Sequence, residues 1–247
     1  MTDVPESVRE DLYVAIRNHA KSCFPKESCG VVIVHRGKPQ YWPCTNLADA
    51  PDVHFILSPA DMACAEEHGE VIAIVHSHPN AAPQPSLADR VGCEASGLPW
   101  LIVNWPTGQI ERFEPSGFEA PLVGRSFHHG VLDCYSLVRD YYRCELDIVL
   151  PDFVRDSHWW LKGQNLYIDH FAEVGFTEIE PRDLQAHDVL LMQVGSPVIN
   201  HAAVYLGNNQ ILQHCAARLS SRDVYGGGWQ RATRMALRHR DLFTRRS

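Results

Sequence analysis

The chain has 247 residues, 45 % of them apolar and 21 % charged, with a formal net charge of −8. This is ordinary for a folded protein of one large or two average domains. The acidic balance gives no footprint for nucleic acid, and the longest apolar runs, such as residues 98–103, are far too short to span a bilayer.

The opening MTDVPESVRE has no basic stretch followed by an apolar one, so no cleaved signal peptide is expected. A helix is read over residues 6–20, with Val8, Leu12, Ala15 and His19 on one face. Residues 31–34 form a short apolar strand closed by a turn at Arg36-Gly37. Ser58-Pro59 reads as an N-cap followed by proline at the first helical position. Residues 71–75 form a buried-type strand running straight into His76-Ser77-His78-Pro79. Ser86 opens another helix, and residues 98–104 form a further strand. Alternating strands and helices predict an α/β domain over residues 1–117.

Prolines and glycines in EPSGFEAPLVG mark a linker at residues 118–124. A second domain, 125–247, opens with a helix after Asp133 that turns Leu137, Val138 and Tyr141 inward. An aromatic-rich helical stretch is expected over 157–174. Strands follow at 189–194, 201–206 and 210–215, the last two joined by a turn at Gly207-Asn208-Asn209. Helices first and antiparallel strands after predict an α+β domain. The eight cysteines contain no CxxC pair, and about six or seven are expected to be reduced, small, buried side chains.

Two constellations carry chemistry. His76 and His78, at i and i+2 on a strand, share one face, and Asp89 in the first turn of the next helix can add an oxygen. Two imidazoles and one carboxylate leave the fourth tetrahedral position that a catalytic zinc needs. Glu27 is the candidate base and Ser86 a candidate oxyanion donor. The plainer readings are a chance histidine pair, a Ser86–Asp89 capping pair and a solvated glutamate. The combined string, Glu27 in ESCG, then HSHP, Ser86 and Asp89, resembles the JAMM metallopeptidases. That resemblance implies a cytidine-deaminase-like α/β fold and one Zn(2+) per chain on His76, His78 and Asp89, with Glu27 as base and Ser86 as oxyanion donor.

In LDCYSLVRDYY, Asp133 can cap the helix and place Cys134 in its first turn, where the positive end of the helix favours a thiolate. His201 and His214 lie on the two strands of the hairpin, so one imidazole can face the thiol while the other orients it. An inert core cysteine and a structural histidine are the plainer alternatives. DCYSLVR, HAAVYLG and ILQHC together resemble the NlpC-type, papain-like peptidases, which implies Cys134 as nucleophile, His201 as base and His214 as third residue. The resemblance further implies that Asp133 contacts a substrate amine. Tyr135, a second expected substrate contact, stands where a small serine that helps hold the amine is usual, and His187-Asp188 stands where Gly-Asp is usual.

The pairing of these two domains is similar to the tail-tip assembly proteins of lambda-like phages. It implies phage tail-tip proteins as partners, peptidoglycan peptides as substrate, and a passage from host cytoplasm to virion tail tip and host periplasm. A cytosolic assembly or maturation factor, and a bacterial isopeptidase for ubiquitin-like conjugates, are the competing expectations.

Overall fold

The computed structural model describes residues 6–244. Residues 1–5, part of the segment read for a signal peptide, and the side chain of Val8 lie outside the described residues. The chain divides into two compact units, one ending at Glu119 and the other starting at Ala120. The stretch expected as linker is largely committed to one unit or the other. The amides of Ser116, Gly117 and Phe118 donate to the Glu94 carboxylate. The carbonyls of Ala120 and Pro121 accept from the buried guanidinium of Arg125, which also pairs with Asp140 at 2.7 Å.

The first unit runs α1 (Glu6–Cys23), β1 (Cys29–His35), β2 (Lys38–Cys44), α2 (Pro59–His68), β3 (Glu70–Pro79), α3 (Leu87–Ser96), β4 (Trp100–Trp105) and β5 (Ile110–Phe113). Its sheet has the order β2-β1-β3-β4-β5, with β3 and β4 parallel and the other pairs antiparallel. Arg36 and Gly37 take φ of 50° and 77°, the left-handed pair that closes a two-residue hairpin. Strand β2, which the sequence reading missed, carries Pro39 and Pro43 and lies at the sheet edge, where a missing N–H costs least.

Strand alternation sends Val32, Val75, Leu101 and Val103 to one face, under α1, and Val31, Ile33, Ile74 and Trp100 to the other, under α2 and α3. The buried seam of α1 is Leu12, Ile16 and Ala20, an i, i+4 row; Ala15, expected inside, is exposed. Ile74 faces α3, so the same period of two delivers His76 and His78 to that side at the end of β3.

The second unit runs α4 (Cys134–Leu146), α5 (Leu166–His170), β6 (Phe176–Ile179), β7 (Val189–Met192), β8 (His201–Gly207), β9 (Gln210–Gln213), β10 (Ser221–Val224), α6 (Gly228–Ala232), β11 (Thr233–His239) and α7 (Arg240–Thr244). Its antiparallel sheet has the order β10-β9-β8-β7-β11-β6. As expected, α4 buries Leu137, Val138 and Tyr141, here against Leu191, Ala202, Val204 and Leu212. Leu190, Ala203 and Ile211 face the opposite side, under Tyr225 and Trp229.

The stretch 157–174 is not one helix: it holds a 3-10 turn at Trp159–Leu161 and the five-residue α5. His158 at φ 53° and Gly163 at φ 78° break the right-handed path. His187 takes φ 79°, where glycine is favoured, and its Nδ1 and carbonyl are held by the Tyr141 and Tyr142 hydroxyls at 2.8 and 2.6 Å. Asp188, buried, accepts two bonds of 2.7 Å from Arg238 of β11. All eight cysteines are free thiols; three are buried and Cys64 and Cys144 are exposed, fewer inside than expected. Among the described residues no helix is long and apolar enough to cross a membrane.

Candidate metal and thiol sites

At the end of β3, His76 Nε2 lies 3.1 Å from His78 Nε2, and the two stand 3.3 and 3.4 Å from the Asp89 carboxylate oxygens. His76 is fully buried between the stacked Phe55 ring at 4.5 Å and the edge-on Trp100 ring at 5.5 Å. His78 Nδ1 donates to the Ala82 carbonyl at 3.0 Å, which turns its Nε2 towards the Asp89 carboxylate.

Ser86 N-caps α3, and its backbone N–H donates to Asp89 Oδ2 at 2.7 Å while its Oγ accepts from the Asp89 N–H. The capping reading of Ser86 and Asp89 is thus the observed geometry, and the cap also steers the carboxylate towards the histidines. Burial alone would raise the Asp89 carboxyl. Hydrogen bonds with His76, His78 and Ser86 outweigh it and hold the group well below the usual carboxylate range.

Glu27 stands one residue before a zipper to β3. Ser77 donates its N–H to the Ser28 carbonyl at 3.0 Å, and Ser28 N donates to Ser77 Oγ at 2.8 Å. Burial pushes the Glu27 carboxyl up to about 8, with Asp89 and Asp52 adding and His78 opposing. It is therefore a buried carboxyl, not the solvated glutamate of the plainer reading. The His76, His78 and Asp89 atoms all lie within 4.8 Å of one another, the only such group among the described residues. The Nε2 atoms of His76 and His78 converge with the Asp89 carboxylate, three ligand atoms in mutual contact. The donor set fits zinc.

In the second unit Asp133 N-caps α4, and Cys134 is its first residue. The Cys134 sulfur lies 3.2 Å from the Tyr167 hydroxyl and meets the N–H of Ala202, the neighbour of His201. The helix-terminus expectation of a stabilised thiolate does not hold in this setting. Burial pushes the Cys134 thiol up to about 11, with Asp133 adding, against the opposing pull of Tyr167, Ala202 and Arg155.

Asp133 and Tyr135, expected to contact substrate, are engaged internally. The Asp133 carboxylate accepts from Ser136, Gly130 and Arg155 Nε, the last at 2.8 Å. Burial would raise that carboxyl, but Arg155 and the backbone N–H groups keep it lowered. The Tyr135 hydroxyl donates to the Pro151 carbonyl at 2.5 Å, and its ring lies under the Arg155 guanidinium, 5.0 Å away.

His201 Nε2 pairs with Gln213 Oε1 at 2.9 Å. The expectation that His214 is this partner is corrected. His214 is fully buried beside the Phe127 ring, and neither of its nitrogens finds a hydrogen-bond partner of ordinary geometry. The reason is a β-bulge. Gly207 pairs with Gln210, but Tyr205 pairs with Ile211 and Ala203 with Gln213, so Leu206 is the extra residue. An unbulged hairpin would set His214 opposite Ala203, on the face of His201; a one-residue slip turns Gln213 there and His214 away. Tyr167, Arg155 and Gln213 were not singled out from sequence. Only Gln213 had a usable signal, the strand register, and the bulge hid it.

The family model for prokaryotic homologs of the JAB domain matches residues 9–115, and the NlpC/P60 family model matches residues 124–238. The tail tip assembly protein K of Escherichia phage N15 is 42 % identical over 95 % of this chain and 97 % of its own length. That of Escherichia phage lambda is 44 % identical over 74 % of this chain and 89 % of its own. Among solved structures, a JAB1/MPN domain protein from Archaeoglobus fulgidus is 21 % identical with a TM-score of 0.30, covering 44 % of this chain and 88 % of that one. The chain belongs to the tail tip assembly protein K family, with a JAB-type domain followed by an NlpC/P60 domain.

Proposed function

We propose that the protein serves in phage tail tip assembly and that its second unit is a cysteine endopeptidase for peptidoglycan stem peptides. Cys134 attacks a peptide carbonyl, forming a thioester as the C–N bond breaks. His201 takes the thiol proton and passes it to the leaving amine, and water then hydrolyses the thioester. Gln213 replaces His214 as the residue that orients His201. Tail-tip proteins are its partners, met first in the host cytoplasm and later at the tail tip and in the host periplasm.

The first unit is, on this reading, a zinc-dependent peptidase or isopeptidase. His76, His78 and Asp89 would hold one ion, Glu27 carries a proton, and Ser86 fixes Asp89 and offers its hydroxyl to an oxyanion. When bound, zinc polarises a carbonyl and acidifies a water.

One observation carries the reading: a chain 42 % identical to a tail tip assembly protein K keeps both a converged His76–His78–Asp89 group and a Gln213-held His201 beside the Cys134 helix. Incubated with purified peptidoglycan, the protein is expected to release muropeptides, and Cys134→Ala is expected to release none. Equal digestion by the two would overturn the assignment.

A second reading is favoured by the raised Cys134 thiol and the Arg155 side chain lodged on Asp133. Here the protein scaffolds or matures tail proteins in the cytoplasm and leaves. It predicts that mass spectrometry of purified virions finds no copy of the chain.

A further inference from the structure

We infer that Asp223 is a positioning residue for the proposed cysteine peptidase: it fixes the amide of Gln213, and through it the tautomer of His201, so that Nδ1 remains the proton acceptor for Cys134. The inference rests on the Cys134–His201 reading and adds a fourth member to it.

Gln213 is buried in β9, between β8 and β10. Its Nε2 stands 2.5 Å from Asp223 Oδ2, and its Oε1 stands 2.9 Å from His201 Nε2. An ionised carboxylate only accepts, so the amide must turn its NH2 to Asp223. The amide oxygen then faces His201, and it too only accepts. His201 Nε2 therefore carries the proton, and in the neutral ring Nδ1 keeps its lone pair.

The remaining neighbours agree with this orientation. The Cys215 sulfur lies 3.6 Å from Gln213 Oε1 and 3.8 Å from His201 Nε2, as a second donor to the same oxygen. The Trp229 ring lies over His201 with centroids 6.0 Å apart. Arg218 Nη2 stands 3.5 Å from Asp223 Oδ2. Of these groups only the Cys215 thiol, a weak donor at 3.6 Å, would oppose a flip of Gln213 if Asp223 were absent. A flipped amide offers NH2 to His201 Nε2, which moves the ring proton to Nδ1, where the thiol proton must go.

The test uses the full-length protein with 15N-labelled histidine. Ring-nitrogen spectra report the His201 tautomer, and iodoacetamide labelling at neutral pH reports the reactivity of Cys134. The wild type is expected to show Nε2–H. Asp223→Ala is expected to shift His201 towards Nδ1–H and to slow Cys134 labelling by about tenfold or more, because a wrong tautomer disables a paired nucleophile.

Gln213→Glu alone sets two carboxylates face to face and is expected to be slow as well. Combined as Gln213→Glu/Asp223→Asn, the donor and acceptor exchange places, the glutamate accepts from both His201 and the asparagine NH2, and the wild-type tautomer and rate return. An unchanged tautomer with a rate within about twofold in Asp223→Ala would overturn the inference, as would failure of the exchanged pair to recover. If His201→Ala leaves the wild-type labelling rate unaltered, the Cys134–His201 reading itself fails, a result separate from the tautomer measurement.

Discussion

Nε of Arg155 lies 2.8 Å from Oδ2 of Asp133, and both side chains are almost wholly buried. Removing Arg155 leaves the Asp133 charge inside without a counterion, whereas Arg155 would keep Asp152 at 2.8 Å. Arg155→Ala is expected to cost about 3 kcal/mol in urea unfolding. The folded-state pKa of Asp133 is depressed, so its contribution is complete above the ordinary carboxylate range and lost as pH falls through the depressed value. Asp133→Asn should therefore be less stable at neutral pH yet lose less on acidification; parallel pH profiles would refute this account.

Metal analysis is expected to find about one zinc per chain. His76→Ala, His78→Ala and Asp89→Ala should each abolish stoichiometric binding. Ser86→Ala should retain zinc and destabilise the unit by about 1 kcal/mol, the usual cost of a lost N-cap. Retention of zinc by Asp89→Ala would show that the ion sits elsewhere.

With its pKa at about 11, the Cys134 thiol is ionised in roughly one molecule in ten thousand at pH 7 without help. Alkylation of His201→Ala should stay slow until the pH approaches that value and rise tenfold per unit below it. The wild type should react at neutral pH by passing the proton to His201. Superimposable profiles for the two proteins would exclude His201 as the base.

Arg238 holds Asp188 through two parallel bonds of 2.7 Å and donates to the Asp183 carbonyl. Lysine cannot reproduce this fork. Arg238→Lys is expected to lower stability by about 2–3 kcal/mol, measured by urea unfolding.

Much of both centres was legible in the sequence because the deciding geometry was local. The strand ending in His76-Ser77-His78, the Ser58 and Ser86 caps, and Asp133 before Cys134 each depend on neighbours within about one turn. The misreadings lie where long-range pairing decides. The α1 face went wrong by one step between i+3 and i+4 spacing. Strands β2, β5, β6 and β10 are short or lie at sheet edges, with little apolar alternation to show them. Strand β11 lies in an arginine-rich stretch with little apolar alternation, and it buries Ala236 and Leu237 and closes Arg238 on Asp188. The aromatic segment looked helical by composition, but backbone reversals at His158 and Gly163 broke it. Tyr167 reaches Cys134 from that segment, 33 positions along the chain, a distance no local pattern encodes.

The extra residue at Leu206 has a consequence for protein engineering and for comparing relatives of different hairpin length. Counting from His201 along the chain cannot identify its strand partner unless insertions in the turn are counted too. Drawing Leu206 into the ladder, so that no residue is left over, would set His214 opposite Ala203 and exchange an amide for an imidazole beside His201. One step of register would thus convert a partner that cannot change charge into one that can, placing the acid sensitivity of the thiol centre under the control of a single bulge.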